Sequence, residues 1–233
     1  MNKKLWEATL EIKNKSNLFR YEKFLEDNYN YKVSKKYDEL LKWSIKNSKD
    51  FWSSIWDFAK VKGKKNFKFK HSKNLINCRF LVGSKLNFAE NILLKKDNTK
   101  SVTFISENGY REIRTWHQLN INTSKIIELF KKLGIRKKDR IAAYLPNTIQ
   151  TVESFLATVA IGAIWSSCSP DFGTNGVIER FIQIKPKVLI IGDRYYYNGK
   201  EINVLERLPT ILKKIKSIKN VILVNYPGKF SLK

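Results

Sequence analysis

From Ser101 onward, short apolar runs alternate with segments whose apolar residues recur at helical spacing. The runs cover residues 141–145 (IAAYL), 163–168 (AIWSSC), 187–192 (KVLIIG) and 220–225 (NVILVN). Each is nearly continuous in apolar character, as expected of a strand buried on both faces. Between them the spacing predicts a helix over 148–161, with Ile149, Val152, Leu156 and Val159 on one face and Asn147 and Gln150 placed as a capping box. It predicts a second over 175–184 and a third over 204–217, interrupted or restarted at Pro209. Strand, helix, strand in repetition predicts a parallel sheet with right-handed crossovers. Ligands bind beyond the carboxyl ends of such strands. The loops to watch therefore follow Leu145, Cys168, Gly192 and Asn225, the last running from Tyr226 to Gly228.

Upstream, 101–106 and 110–116 read as a hairpin turning at Glu107, Asn108 and Gly109, since Asn-Gly supplies the positive φ of a tight turn. A helix over 123–133 follows, ended by Gly134. The first third reads as helical and aromatic. Leu18, Phe19, Tyr21, Phe24 and Leu25 recur at helical spacing after Ser16 and Asn17, and Tyr37, Leu40, Leu41 and Ile45 do so after Ser34. Phe51, Trp52, Ile55, Phe58 and Ala59 form a further stripe, read as packing residues. Residues 60–100 read as a connector wrapped on the next domain, with Leu86, Ala89 and Leu93 on one short helix. The expected organisation is thus a helical region with connector over 1–100 and the first part of an α/β domain over 101–233.

Composition fits a folded chain, with 42% apolar and 13% aromatic residues. The net charge of +24 suggests a polyanionic partner, but the excess is dispersed and carried by Lys rather than the Arg favoured for base recognition. No sequence-specific nucleic-acid partner is expected. The densest basic run, 60–73, holds Phe67 and Phe69, which either stack on bases or anchor a loop. The amino terminus lacks the apolar core of a secretory signal, and the longest apolar run, 155–165, is about half of what a membrane span needs. A cytoplasmic protein without a membrane partner is expected.

Little catalytic chemistry is visible. Cys78 and Cys168 stand apart, without CxxC spacing, and His71 and His117 are isolated, so neither a metal site nor a disulfide framework is expected. No GxSxG, HExxH, GxGxxG or GxxxxGK[ST] motif occurs. No catalytic residue is assigned. The loop IGAIWSSCSPDFG (161–173) offers small Ser166 and Ser167 beside the flat Trp165. Asp171 reads as a turn former or a ligand contact. The stretch GDRYYYNGKEI (192–202) reads as a loop whose cations and tyrosines either hold a phosphorylated nucleotide or face solvent.

The segments WSIKNSKDFWSSIWDFAKV (43–61), GSKLNFAENIL (83–93), DRIAAYLPNTIQTVESFLATVAIGAIWSSCSPDFG (139–173) and KPKVLIIGDRYYYNGK (185–200) resemble the adenylate-forming acyl-CoA synthetases, in particular those acting on acetoacetate. The resemblance covers nearly the whole chain. It implies the parallel-sheet part of the large domain of an adenylate-forming enzyme, preceded by a helical amino-terminal region. It also implies a ligase reaction: acetoacetate and ATP with magnesium give an acyl-adenylate and pyrophosphate, and the CoA thiol then displaces AMP. By similarity Trp165, Ser166 and Ser167 border CoA, while Tyr197, Lys200 and Ile202 meet its nucleotide. Tyr197 stands where relatives carry a basic residue. The phosphate loop and adenylation lysine of such enzymes lie beyond the point matching Lys233. The chain alone is thus expected to be inactive in adenylation, with a carboxy-terminal half as its natural partner. A non-catalytic CoA- or nucleotide-binding module is the alternative, and a basic nucleic-acid-binding protein a further one.

Overall fold

The structure, a computed structural model, describes residues 5–34, 36–107 and 109–227. Two compact units divide the chain between Leu86 and Asn87.

In the first unit, α1 (Leu10–Lys15), α2 (Asn17–Tyr29), α3 (Tyr37–Lys46) and α4 (Ser48–Phe58) precede β1 (Gly63–Lys64), β2 (Lys68–Lys70), β3 (Arg79–Val82) and β4 (Lys85–Leu86). Ser16 caps α2, its Oγ accepting from the Phe19 amide at 3.1 Å; this satisfies one of the amides that a helix start leaves unpaired. Tyr21, Leu25, Tyr31 and Leu40 form the core, with Phe24, Trp43, Phe51, Ile55 and Phe58 packed against it. The phenol of Tyr21 is hydrogen-bonded to Ser54 Oγ at 2.6 Å. The helical stripes thus hold in part: Leu18, Leu41, Ile45 and Trp52 are exposed. These positions flank the stripe that meets the core, and singly exposed apolar side chains are normal on a protein surface. The stretch from β1 to β4 pairs within itself and seats Phe80 on Trp52 of α4, ring centroids 5.4 Å apart.

The second unit opens with α5 (Phe88–Ile92), the antiparallel pair β5 (Lys100–Ile105) and β6 (Arg111–Thr115), and α6 (Trp116–Lys132). Gly109 has φ 80° at the hairpin turn, and Asn108 lies outside the described residues. Leu86, expected on the short helix, is in β4, and α6 starts seven residues before the expected Thr123. Thr115 is the reason. Its hydroxyl accepts from the Gln118 amide while the Gln118 side chain accepts from the Thr115 amide, a capping box that turns strand into helix without a linker. Gly134 follows the helix at φ 68°, a conformation that suits glycine.

Next come β7 (Arg140–Tyr144), α7 (Ile149–Ala160), β8 (Ile164–Cys168), α8 (Thr174–Ile184), β9 (Val188–Gly192), β10 (Arg194–Tyr197), β11 (Lys200–Asn203), α9 (Leu208–Lys214) and β12 (Asn220–Val224). The apolar runs form one parallel sheet in the order β12-β9-β7-β8. Pro209 lies in the first turn of α9, after a 3₁₀ turn at Leu205–Arg207, where its missing amide hydrogen costs nothing. One expectation fails at α7. Its cap is Thr148, without a side-chain cap bond, because Pro146 and the Thr148 amide bond to the Pro146 carbonyl (2.8 Å) place Asn147 in a tight turn.

Strand alternation sorts the sheet's residues into two cores. Ala142, Tyr144, Leu189 and Ile191 pack against Val177 and Phe181 of α8 and Ile211 of α9. Ile141, Ala143, Val188 and Ile190 pack against Phe130 of α6 and Ala157 of α7. The helices after β7 and β8 therefore lie on opposite faces, which opens a crevice at the carboxyl end of β7. Among the described residues no helix is long and apolar enough to cross a membrane.

Replacing Thr115 with Ala removes half of the capping box and is expected to lower stability by about 1 kcal/mol, whereas Asn147→Ala at the turn is expected to stay within about 0.5 kcal/mol. Urea denaturation of the two variants checks this. Equal losses would contradict the assignment of the caps.

Candidate functional site at the carboxyl ends of the sheet

The turn after β8 is held by a residue far away in sequence. Tyr144 ends β7, and its fully buried ring directs its hydroxyl at the Ser-Pro-Asp-Phe-Gly turn. That single proton is donated to the Phe172 carbonyl at 2.6 Å, with the Pro170 carbonyl at 3.1 Å. Nη1 of Arg207, just before α9, donates to the same two carbonyls, at 2.8 Å to Pro170 and 2.9 Å to Phe172, and to the Tyr144 oxygen. Three oxygens thus converge on one guanidinium nitrogen, and hydrogen bonds to a charged donor are the strong kind. Burial pushes the Tyr144 phenol above its ordinary range, with Arg207 acting against that shift. The Arg180 guanidinium lies 4.2 Å from the centroid of the Phe172 ring, a cation–π contact on the turn's outer side. Asp171 is exposed, and the turn closes through its main chain, the Phe172 amide donating to the Ser169 carbonyl at 3.2 Å.

Residues 194–203, expected as a loop, are instead the β10–β11 hairpin. Asn198 (φ 51°) and Gly199 (φ 70°) form its two-residue turn, the positive-φ pair that such a turn requires. Both their amides donate to the Glu107 carboxylate, at 3.2 Å each. Asp193 anchors the other end, its Oδ1 accepting from the amides of Arg194 (2.8 Å) and Tyr226 (2.7 Å). Along the hairpin Arg194 pairs with Asp193 and Glu201, each at 3.1 Å, and the Tyr196 hydroxyl donates to Glu201 at 2.5 Å. Burial, then the Glu201 carboxylate, pushes the Tyr196 phenol up to about 12. The Tyr196 ring meets Tyr226 edge-on at 5.1 Å, and Tyr226 meets Phe104 of β5 at 6.0 Å.

The candidate residues fall into two groups. Trp165, Ser166 and Ser167 lie on edge strand β8, where alternation puts Trp165 and Ser167 on the α7 side and Ser166 on the α8 side. Trp165 is half-buried, its ring 5.9 Å from Phe155, so it serves the core as well as the strand's open edge. Tyr197 and Lys200 are exposed and face each other across the hairpin, and Ile202, half-buried, pairs with Tyr195. β7 lies between β8 and β9, the strand that leads into the hairpin, so the topology keeps the groups on separate strands. Tyr144, Arg207, Asp193 and Glu107, which fix both loops, were not among the sequence candidates. Only Asn198-Gly199 carried a readable signal. Burial raises the Cys168 thiol above its ordinary range, which disfavours a thiolate nucleophile there. Gly228, at the end of the fourth loop, lies outside the described residues. Among the described residues no group of three His, Cys, Asp or Glu is placed to hold a metal ion.

This arrangement, a parallel sheet with built loops at its carboxyl edge, coincides with a family match. The sequence pattern of the AMP-binding enzyme family matches residues 94–231, and the chain belongs to that family. Within it, the chain is similar to the amino-terminal portion of acetoacetyl-CoA synthetases. It is 40% identical to acetoacetyl-CoA synthetase of Xenopus tropicalis over 195 residues, and 37% identical to acetoacetyl-coenzyme A synthetase of Rhizobium meliloti (strain 1021) over 193 residues; each match covers 82% of this chain and 29% of the relative. The solved structure of acetoacetyl-CoA synthetase from Streptomyces lividans superimposes with a TM-score of 0.90 at 25% identity, covering 99% of this chain and 36% of that one. The chain thus spans about a third of the length of the proteins it matches.

Glu201→Gln removes the charge that helps hold the Tyr196 proton, so the phenol is expected to fall from about 12 toward the ordinary 10.0. A raised phenol contributes stability that is complete below the ordinary value and is lost as pH rises through the folded value. The variant should therefore lose less stability than the parent as the pH rises from about 10 to about 12. Tyrosinate absorbance of variant against parent follows the titration, and identical curves would contradict the assigned hydrogen bond.

Proposed function

We propose that the chain supplies the CoA-side portion of an acetoacetate–CoA ligase. In that reaction the acetoacetate carboxylate attacks the α-phosphorus of ATP and releases pyrophosphate, and the CoA sulfur then attacks the acyl carbon and releases AMP. The observation that carries the reading is the double anchoring of the carboxyl-edge loops. Arg207 and Tyr144 hold the turn after β8, while Glu107 and Asp193 hold the hairpin after β9. Pre-set loops bind without an added ordering cost. The similarity to acetoacetyl-CoA synthetases supports the choice of substrate.

In this proposal Trp165, Ser166 and Ser167 border the thin pantetheine arm along the edge of β8, where small side chains let it approach the main chain. The Lys200 ammonium takes a phosphate of the CoA nucleotide, Tyr197 offers a ring beside it, and Ile202 supplies an apolar contact. The ATP and magnesium chemistry and the acyl pocket belong to the portion of the relatives that this chain does not span. A carboxy-terminal portion like that of the relatives completes the site in this proposal, and the protein works in the cytoplasm. The helical region over 1–100 and the AMP-binding part over 101–233 are the proposed functional division.

Calorimetric titration with CoA is expected to give saturable binding. Lys200→Glu, a change at an exposed position, is expected to weaken it by about ten-fold, the scale of one charged hydrogen bond. Acetoacetate-dependent ATP–pyrophosphate exchange by the chain alone is expected to stay at background. Binding of CoA that ignores Lys200→Glu would overturn the placement of the nucleotide, and clear exchange would overturn the division of labour.

A further inference from the structure

The stretch from Lys60 to Lys73 carries seven lysines and no acidic residue, and the CoA reading makes no use of it. Its two phenylalanines turn out to have different surroundings. Phe69 anchors β2, its ring 5.1 Å from Phe80 and 6.0 Å from His71. Phe67, two residues earlier, is 61% exposed, and Trp52 of α4 is 42% exposed. Both line a cleft of about 410 Å³ within the first unit, walled further by Tyr29, Phe69 and Phe80. A large aromatic side chain left in water at the mouth of a concave aromatic cleft marks a binding surface.

The charge around the cleft selects the ligand. Lys49 lines it, and so does the acidic Asp50. Lys65 sits 4.7 Å over the Phe67 ring and spends its charge on Asp57 at 2.6 Å, which fixes the ring's position and neutralises that carboxylate. Lys64, Lys68, Lys70 and Lys73 are exposed. Alternation along β2 puts Lys68 and Lys70 on the face away from Phe69. A compact ligand inside the cleft does not reach them, whereas a chain passing over the strand meets both the rings and the lysines. Flat apolar surfaces beside spaced point charges, with Lys rather than Arg, suit bases that stack and phosphates that are neutralised without base reading.

We propose that this cleft binds single-stranded nucleic acid without sequence preference, one base stacking on Phe67 and Trp52 and the adjoining phosphates lying on Lys68 and Lys70. The site is independent of the CoA proposal. Fluorescence anisotropy of the full chain with a labelled oligothymidylate of about 15 nucleotides tests it. Binding is expected at about 50 mM salt, weakening as salt rises with a log–log slope of roughly −0.7 for each phosphate engaged. Phe67→Ala keeps every lysine and is expected to weaken binding by about ten-fold at an unchanged slope. Lys68→Gln with Lys70→Gln is expected to flatten the slope by about 1.4. Both changes lie at exposed positions, and an unchanged thermal melt separates loss of binding from loss of fold. Absence of oligonucleotide binding, or binding indifferent to Phe67→Ala, overturns the proposal. So does ATP competing as tightly as the oligonucleotide, which would make the cleft a mononucleotide site, or capture of phosphatidylserine vesicles in its place, which would make it a membrane contact.

Discussion

The second unit depends on the burial of β7. Ile141, Ala142, Ala143 and Tyr144 have no exposed surface, and the strand is paired on one edge by β8 and on the other by β9. Burying an Ile or a comparable side chain stabilises by about 1.5–3 kcal/mol, while the two ladders satisfy main-chain groups that have no access to water. The strand's last residue converts this rigidity into a position. Tyr144 is large enough to remain in the core yet carries a hydroxyl that emerges at the carboxyl edge, where it meets Arg207 and the turn after β8.

Charge is distributed along the strands in a way that leaves that edge to the loops. At the opposite end Asp139 accepts from the Arg136 amide and pairs with Lys187 at 3.0 Å, and Lys187 also donates to the Gly134 carbonyl. The first of these bonds, then Lys187, holds the Asp139 carboxyl below its ordinary range. On the α6–α7 side, Glu153 is nearly buried but receives Arg114 at 3.1 Å and Asn122 at 2.8 Å, the pairing that a buried carboxylate needs. These contacts close the sheet's base and flank. The carboxyl edge instead spends its polar groups on loop carbonyls and amides, leaving Tyr197 and Lys200 exposed.

The parallel sheet was legible because buried strands read as uninterrupted apolar runs, and Val188–Gly192 is buried along its whole length. The helices between them followed from spacing and, for α9, from Pro209, while Gly134 marked the end of α6 before β7. Local main-chain chemistry was harder to read. Thr115 serves strand and helix at once, so a strand pattern hid the helix start. The β10–β11 hairpin was hidden by its aromatic and charged composition, although Asn198-Gly199 is the same signal that marked the turn at Gly109. The anchors of the candidate site had no signal to give. Arg207 meets Tyr144 from 63 residues away and Pro170 from 37, and neither spacing nor composition reports such a meeting. The resemblance supplied the family and the candidate residues, and the geometry supplied what holds them.

The sheet, through Tyr144 and Arg207, fixes the turn beside the candidate CoA contacts. Residue-resolved amide hydrogen exchange on Arg207→Ala tests it most directly. Faster exchange is expected at the Phe172 amide, with the amides of Ile141–Tyr144 as protected as in the parent. Unchanged protection at Phe172 would contradict it, as would a loss spread equally over β7.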